Sequence, residues 1–278
     1  MTDLPVPDIA LAGGTTIPQV GYGVFEVAGD ETVASVTAAL EAGYRSIDTA
    51  AIYFNEAEVG EAVRASGIPR EDLRVTTKLW NTDQGRDEAL AAFDASLERL
   101  GLDYVDLYLI HWPCPGRDLY LETWRALESL LADGRTRAIG VSNFQVPHLE
   151  RLLAETDTVP AVNQIELHPN LQQPELRAFH AANGIATEAW SPLARGRSLL
   201  GDPTLAAIAD AHGVTVAQVV LRWHVQLGNV VIPRSVNPGR IAQNIDVFGF
   251  ELTAADVEQI AGLDRATRIG PDPDTYDV

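Results

Sequence analysis

The sequence predicts an α/β fold, a single (β/α)₈ barrel over residues 1–278 with an N-terminal β-hairpin and a C-terminal tail over the barrel mouth. Eight short runs rich in β-branched and aliphatic residues read as buried strands, at 20–24, 44–48, 73–79, 105–110, 137–141, 162–166, 185–190 and 230–233. Between them lie amphipathic stretches such as ETVASVTAALEAG and RDEALAAFDASLERLG, and several stop at a glycine placed as a helix C-cap: Gly43, Gly67, Gly101 and Gly228. Strand alternating with helix implies parallel βαβ units, and 278 residues suit one barrel. The competing layout, an open doubly wound sheet, lacks a G-x-G-x-x-G after its first strand.

In chain order, IALAGGTTIPQV sets a Gly-Gly turn between two apolar arms, the signature of a hairpin. YRSIDTAAIYFNE starts as the second strand and breaks into a loop carrying Asp48 and Tyr53. DLRVTTKLW ends the third strand near Lys78, and YVDLYLIHW ends the fourth at His111. GVSNF and VNQIE close the fifth and sixth with Ser142, Asn143 and Gln164, and TEAWSPL closes the seventh with Trp190. The eighth runs into VVIPRSVNPGRIAQN, where Arg234 and Ser235 precede a helix whose N-terminal amides suit an anion. In a barrel the carboxyl ends of neighbouring strands converge on one face, so these residues should share one rim.

Composition narrows the function classes. With 46% hydrophobic and 21% charged residues the chain reads as soluble and globular, and a net charge of −19 opposes nucleic-acid or anionic-membrane partners. One cysteine, Cys114, permits no intrachain disulfide and lies close enough to His111 to be an accessible thiol. The start MTDLPVPDIA has neither a basic n-region nor an apolar h-region, and no apolar run approaches the ~18 residues of a spanning helix. A cytoplasmic monomer is expected.

The chemistry at the rim follows from residue type. A phenol, with a reference pKa near ~10, needs a neighbouring cation to stabilise its phenolate before it serves as a proton donor. Lys78 is that cation, and a carboxylate, Asp48, is needed to keep a buried ammonium charged. Of 20 basic residues, Lys78 is the only lysine and the rest are arginine, so a compact point charge is kept at this one position. Ser142, Asn143 and Gln164 suit a carboxamide, and Trp190 suits a flat ring. Proton donor, carboxamide grip, ring platform and phosphate site succeed one another in the order a nicotinamide dinucleotide would need.

PQVGYGVF, GYRSIDTAAIY, TTKLW, VDLYLIHWP, IGVSNF, PAVNQIELHP, SPLARG and VIPRSV, spread nearly end to end, resemble the aldo-keto reductase superfamily and within it the bacterial 2,5-diketo-D-gluconate reductases. The resemblance implies NADPH-linked reduction of a carbonyl (a dicarbonyl, keto-sugar acid or small aldehyde) by the tetrad Asp48, Tyr53, Lys78 and His111. It further implies cofactor contacts from Ser142, Asn143, Gln164, Trp190, Ser191, Leu193, Arg234, Ser235, Val236, Arg240, Gln243 and Asn244. Tyr22, Phe54, Trp80, His111, Trp112 and the tail would wall the substrate site. Phe54 departs from the family's usual glycine, Gln243 from its glutamate and Arg234 from its lysine. The segment WPCPGRD is short by family standards, which suggests an open site. Two other readings stand beside this one: a non-catalytic cofactor-binding subunit, and a metal-dependent hydrolase using His111, Glu166 and His168, though no H-E-x-x-H or H-x-H motif supports the latter.

Overall fold

The computed structural model describes residues 6–196 and 198–278. Its sheet contains eight parallel strands in chain order: β3 (Tyr22–Gly23), β4 (Ser46–Asp48), β5 (Arg74–Leu79), β6 (Leu107–Ile110), β7 (Ile139–Ser142), β8 (Val162–Glu166), β9 (Ala186–Trp190) and β10 (Val230–Val231). A parallel bridge from Val20 to Val231, with Gly21 N donating to Val231 O at 2.8 Å and Val231 N to Gln19 O at 2.9 Å, joins the last strand to the first and closes the barrel. Gly21 makes this seam possible, because a Cβ there would sit 3.1 Å from Ser46 Oγ and 3.2 Å from the Ile232 side chain. The last strand is shorter than its apolar run suggests because Pro233 has no N–H to continue the ladder.

The antiparallel hairpin β1 (Asp8–Ala10) and β2 (Thr16–Pro18) plugs the amino end of the barrel. Leu11 and Ile17 pack there against Leu107, Leu109, Val162 and Val230, each buried side chain of this kind contributing about 1.5–3 kcal/mol. Helices cover the outside: α1 (Gly29–Glu41), α2 (Glu56–Ala65), α3 (Arg86–Leu100), α4 (Tyr120–Ala132), α5 (Val146–Glu155), α6 (Pro174–Ala182), α7 (Pro203–His212), α8 (Val216–Gln226), α9 (Pro238–Ile245) and α10 (Ala254–Ala261). Their apolar stripes recur at helical spacing, as with Val36, Ala39 and Leu40 of α1, and bury against the strands. Gly101 ends α3 at φ 61° and donates to Leu97 O at 2.8 Å, a left-handed cap that glycine adopts without strain.

The tail has no regular structure and crosses the carboxyl end of the barrel. Tyr276 packs on Trp112 with ring centroids 4.6 Å apart, and Asp277 accepts from Gly116 N at 2.8 Å. Among the described residues no single helix is long and apolar enough to cross a membrane.

Candidate active site

The loop after β4 is shaped by the residues that follow Tyr53. A single 3₁₀ turn, Ala51–Tyr53, ends at Phe54 in the left-handed region, φ 56°. Asn55 is buried and staples the loop: its Nδ2 donates to Val24 O and Val27 O at 3.0 and 3.2 Å, and its Oδ1 accepts from Thr49 Oγ1 at 2.7 Å. Glu56, also buried, accepts from Thr77 Oγ1 at 2.5 Å and Arg99 Nε at 2.6 Å. Tyr53 is therefore held between two anchored segments.

Opposite it, on β5, Lys78 has no exposed surface and donates from Nζ to Asp48 Oδ1 at 2.6 Å and to Thr49 O at 2.9 Å. The same Nζ lies 5.1 Å from the centroid of the Tyr53 ring. His111, one residue past β6, sets its ring edge-on to Tyr53 at 5.7 Å, with Trp80 edge-on behind it at 5.2 Å. All four expected residues are thus brought together.

Their protonation behaviour is set by burial and by one another. Burial presses the Lys78 ammonium to lose its proton, but Asp48, Tyr53 and Glu188 outweigh it and leave the lysine above its ordinary value. For Tyr53 burial is the largest influence and raises the phenol; Lys78 pulls it down, Asp48 pushes it up, and the net direction is upward. This corrects the expectation that the cation by itself would bring the phenol below its ordinary value. His111 is held well below the usual imidazole range by burial and then by Lys78, so it is neutral near pH 7.

The groups expected to hold a carboxamide form their own chain. Ser142 Oγ donates to Gln164 O at 2.8 Å, and Asn143 Nδ2 donates to His111 O at 3.0 Å and Ser142 Oγ at 3.1 Å. Asn143 Oδ1 accepts from Trp190 Nε1 at 2.8 Å, which fixes the indole. Gln164 Nε2 is engaged by two carboxylates, Asp48 and Glu188, at 2.8 Å each. Its donors are therefore spent. Beyond Trp190 the loop turns through positive φ at Ser191, Ala194 and Arg195, with Leu193 half-buried. Arg234, Val236, Arg240 and Gln243 are exposed around the start of α9, Ser235 is half-buried, and Asn244 is buried. Arg234 Nη2 donates to Glu26 O at 2.7 Å, and Arg195 Nη1 reaches Glu26 Oε1 at 3.5 Å, so the loops after β3, β9 and β10 are tied together.

Three wall and thiol expectations need correction or refinement. Tyr22 is not a wall: it is 1% exposed, lies edge-on to Tyr44 and donates to Ser235 O at 2.6 Å. Phe25 takes that place, with its ring 5.0 Å from Tyr53 and 39% of the residue exposed. Phe54 projects into solvent at 82% exposure, whereas Trp112 is covered by Tyr276. Cys114 is buried, and burial pushes its thiol up to about 11, which ends the accessible-thiol reading. The short segment after His111 is pinned by the tail and by Gln84 Nε2, which donates to Trp112 O at 2.8 Å.

Glu166 and His168, candidates for metal ligands, bond to each other at 2.9 Å, and Glu166 also accepts from Ile269 N at 2.6 Å and Gly270 N at 2.9 Å. They fasten the tail, and among the described residues no group of three His, Cys, Asp or Glu is placed to hold a metal.

Phe25, Glu26, Arg195 and Glu188 escaped the sequence reading. Strand alternation gave a signal for Glu188 alone, since it shares a face of β9 with Trp190 and pairs in register with Gln164.

Comparison with known proteins agrees with this geometry. The Aldo/keto reductase family model matches residues 13–265. An aldo-keto reductase of Mycolicibacterium smegmatis is 59% identical over 270 residues, covering 97% of this chain and 98% of the relative. A glyoxal reductase of Bacillus subtilis is 54% identical over 267 residues, 96% of each chain. A Gox0644 variant solved in complex with NADPH has a TM-score of 0.94 at 48% identity, covering 98% of this chain and 99% of that one. With a closed eight-stranded barrel and matches of this extent, the chain belongs to the aldo/keto reductase family.

Proposed function

We propose that this oxidoreductase uses NADPH to reduce a small aldehyde or 1,2-dicarbonyl, with Tyr53 giving the proton to the carbonyl oxygen and His111 orienting that oxygen. The observation that carries the reading is the buried unit in which Asp48 holds Lys78 beside the ring of Tyr53 while His111 faces the same ring. A half-buried phenol whose value is raised keeps its proton in the resting protein; the ammonium stabilises the phenolate as the proton leaves. That contribution grows toward the transition state, which is where it accelerates the reaction. His111, held neutral, serves as a hydrogen-bond donor rather than as the acid.

The donor set suits the cofactor. Ser142, Asn143 and the carbonyl oxygen of Gln164 are polar groups for a carboxamide, Trp190 is a fixed flat ring, and Arg234, Ser235 and Arg240 lie where α9 begins. When bound, the reduced nicotinamide supplies the hydride. The glyoxal reductase relative and the relative solved with NADPH support both choices. Phe25 beside Tyr53 and Trp80 beside His111 make the surroundings aromatic, which favours a small uncharged carbonyl over a keto-sugar acid.

Tyr53→Phe tests the reading. General acid catalysis is worth roughly 10²–10⁴ in rate, so single-turnover reduction of methylglyoxal should fall at least about a hundredfold with NADPH binding retained. A variant within tenfold of wild type would show that Tyr53 is not the acid.

A further inference from the structure

Beside Asp48 lies a second buried carboxyl that the mechanism has not used. Glu188 is 1% exposed in the middle of β9, and its Oε2 accepts from the same Gln164 nitrogen that serves Asp48 Oδ2, at 2.8 Å in each case. An amide nitrogen has two hydrogens, so one glutamine holds both carboxyls. Glu188 Oε1 has no hydrogen-bond partner among the described residues. Among the described residues the only cation donating into this group is Lys78, which is bonded to Asp48. With both carboxyls ionised the unit would carry an uncompensated buried negative charge; with one proton on Glu188 it is neutral.

We propose that Glu188 is a positioning residue that carries a proton beside the Asp48–Lys78 pair, holding Gln164 in place and leaving Lys78 free to serve Tyr53. The inference rests on the reading of Tyr53 as the acid. The groups facing Glu188 are Asp48 from β4, Lys78 from β5 and the neutral Gln164 from β8; β10 contributes only Val230 and Val231. Arg177 and His180 of α6 belong to the opposite face of β9, where His180 bonds Thr187 at 2.8 Å. Burial first, then the Asp48 charge, push the Glu188 carboxyl up to about 7, so its proton is lost near neutrality. The sign follows. Ionised Glu188 adds an anion that acts on Lys78, offsetting part of the positive charge that would stabilise the phenolate, and so slows proton donation by Tyr53.

The test measures single-turnover NADPH oxidation with methylglyoxal across about pH 5.5 to 9, for wild type, Glu188→Gln, Glu188→Asp and Tyr53→Phe. Wild type should slow roughly three- to tenfold through an inflection near 7. Glu188→Gln keeps the acceptor for Gln164 and should lose that inflection, while Glu188→Asp should retain one at a shifted pH. Infrared spectra of the purified protein supply a readout apart from activity: a protonated-carboxyl band at low pH that titrates away in wild type and is missing in Glu188→Gln. An unchanged profile in Glu188→Gln, with Tyr53→Phe inactive, overturns the role of Glu188 and leaves Tyr53 standing. An active Tyr53→Phe removes the reading of Tyr53 instead, and an absent infrared band in wild type then overturns the protonated Glu188 on its own. If Glu188→Gln fails to fold, the wild-type infrared titration and the Glu188→Asp profile decide.

Discussion

Lys78→Arg conserves charge and should nevertheless disable the enzyme. Lysine here has no exposed surface, and its Nζ is fixed by contacts of 2.6 Å to Asp48 and 2.9 Å to Thr49, with the Tyr53 ring 5.1 Å away. Arginine would force a larger planar guanidinium into that space. Overpacking of a filled interior costs about 1–3 kcal/mol, which at roughly 2–4 °C per kcal/mol for a protein of this size lowers the melting temperature by about 2–12 °C. The kinetic loss should be larger. The planar fork cannot direct a compact charge at both Asp48 and the phenol, so much of the ~10²–10⁴ from acid catalysis is forfeited, about 3–5 kcal/mol of barrier. The assay pairs a thermal melt and an NADPH fluorescence titration with single-turnover reduction of methylglyoxal, and Lys78→Met serves as the uncharged control. A folded, NADPH-binding Lys78→Arg protein within tenfold of wild-type rate would refute the reasoning, because it would mean that any cation at this position suffices.

Two further outcomes are expected. Arg234→Gly and Arg240→Ala should each weaken NADPH about ten- to a hundredfold while leaving NADH nearly unchanged, since a charge-assisted bond to a 2′-phosphate contributes about 1.5–3 kcal/mol; equal losses for both cofactors, read by fluorescence titration, would assign these arginines to the shared pyrophosphate or to structure. Stability should fall on acidification, because burial holds His180 down to about 4 and His224 down to about 3, whereas the unfolded chain protonates near ~6.5. Between those limits the unfolded state binds more protons, so each imidazole contributes a loss of up to about 1.4 kcal/mol per pH unit as pH drops. Glu188, raised to about 7, acts oppositely between its unfolded value and 7, but His111, also held low by burial, acts in the same direction as His180 and His224. Urea midpoints that do not move between pH 7 and 5 would contradict this.

How far the sequence reached depended on whether a feature is local. Strands β5 and β8 are legible because β-branched residues cluster and end at a polar rim residue; β10 was overextended because hydropathy does not register that Pro233 ends the ladder. The partners Asp48, Tyr53, Lys78 and His111 were legible because consecutive parallel strands deliver their ends to one face. Tyr22 misled for the complementary reason. Its motif lies near the rim, but side-chain direction, which nearness in sequence does not reveal, turns it to Tyr44 and Ser235 and leaves the mouth to Phe25.

Electrostatic sign was the harder quantity. Pairing a phenol with a lysine predicts a lowered value, yet desolvation of the half-buried ring outweighs the cation and the net shift is upward. Desolvation depends on everything that excludes water, including the tail that Glu166 fastens by accepting from Ile269 and Gly270. The same burial explains why Lys78 keeps its charge only in company: it is bound to Asp48 and also feels Glu188. A lone carboxylate within TEAW carries no such information, because the charge balance it joins is assembled from β4, β5, β8 and β9 together. The protonation of Tyr53 is therefore a property of four strands closing around one ammonium, and replacing any charged member should alter the protonation of the others before it alters the fold.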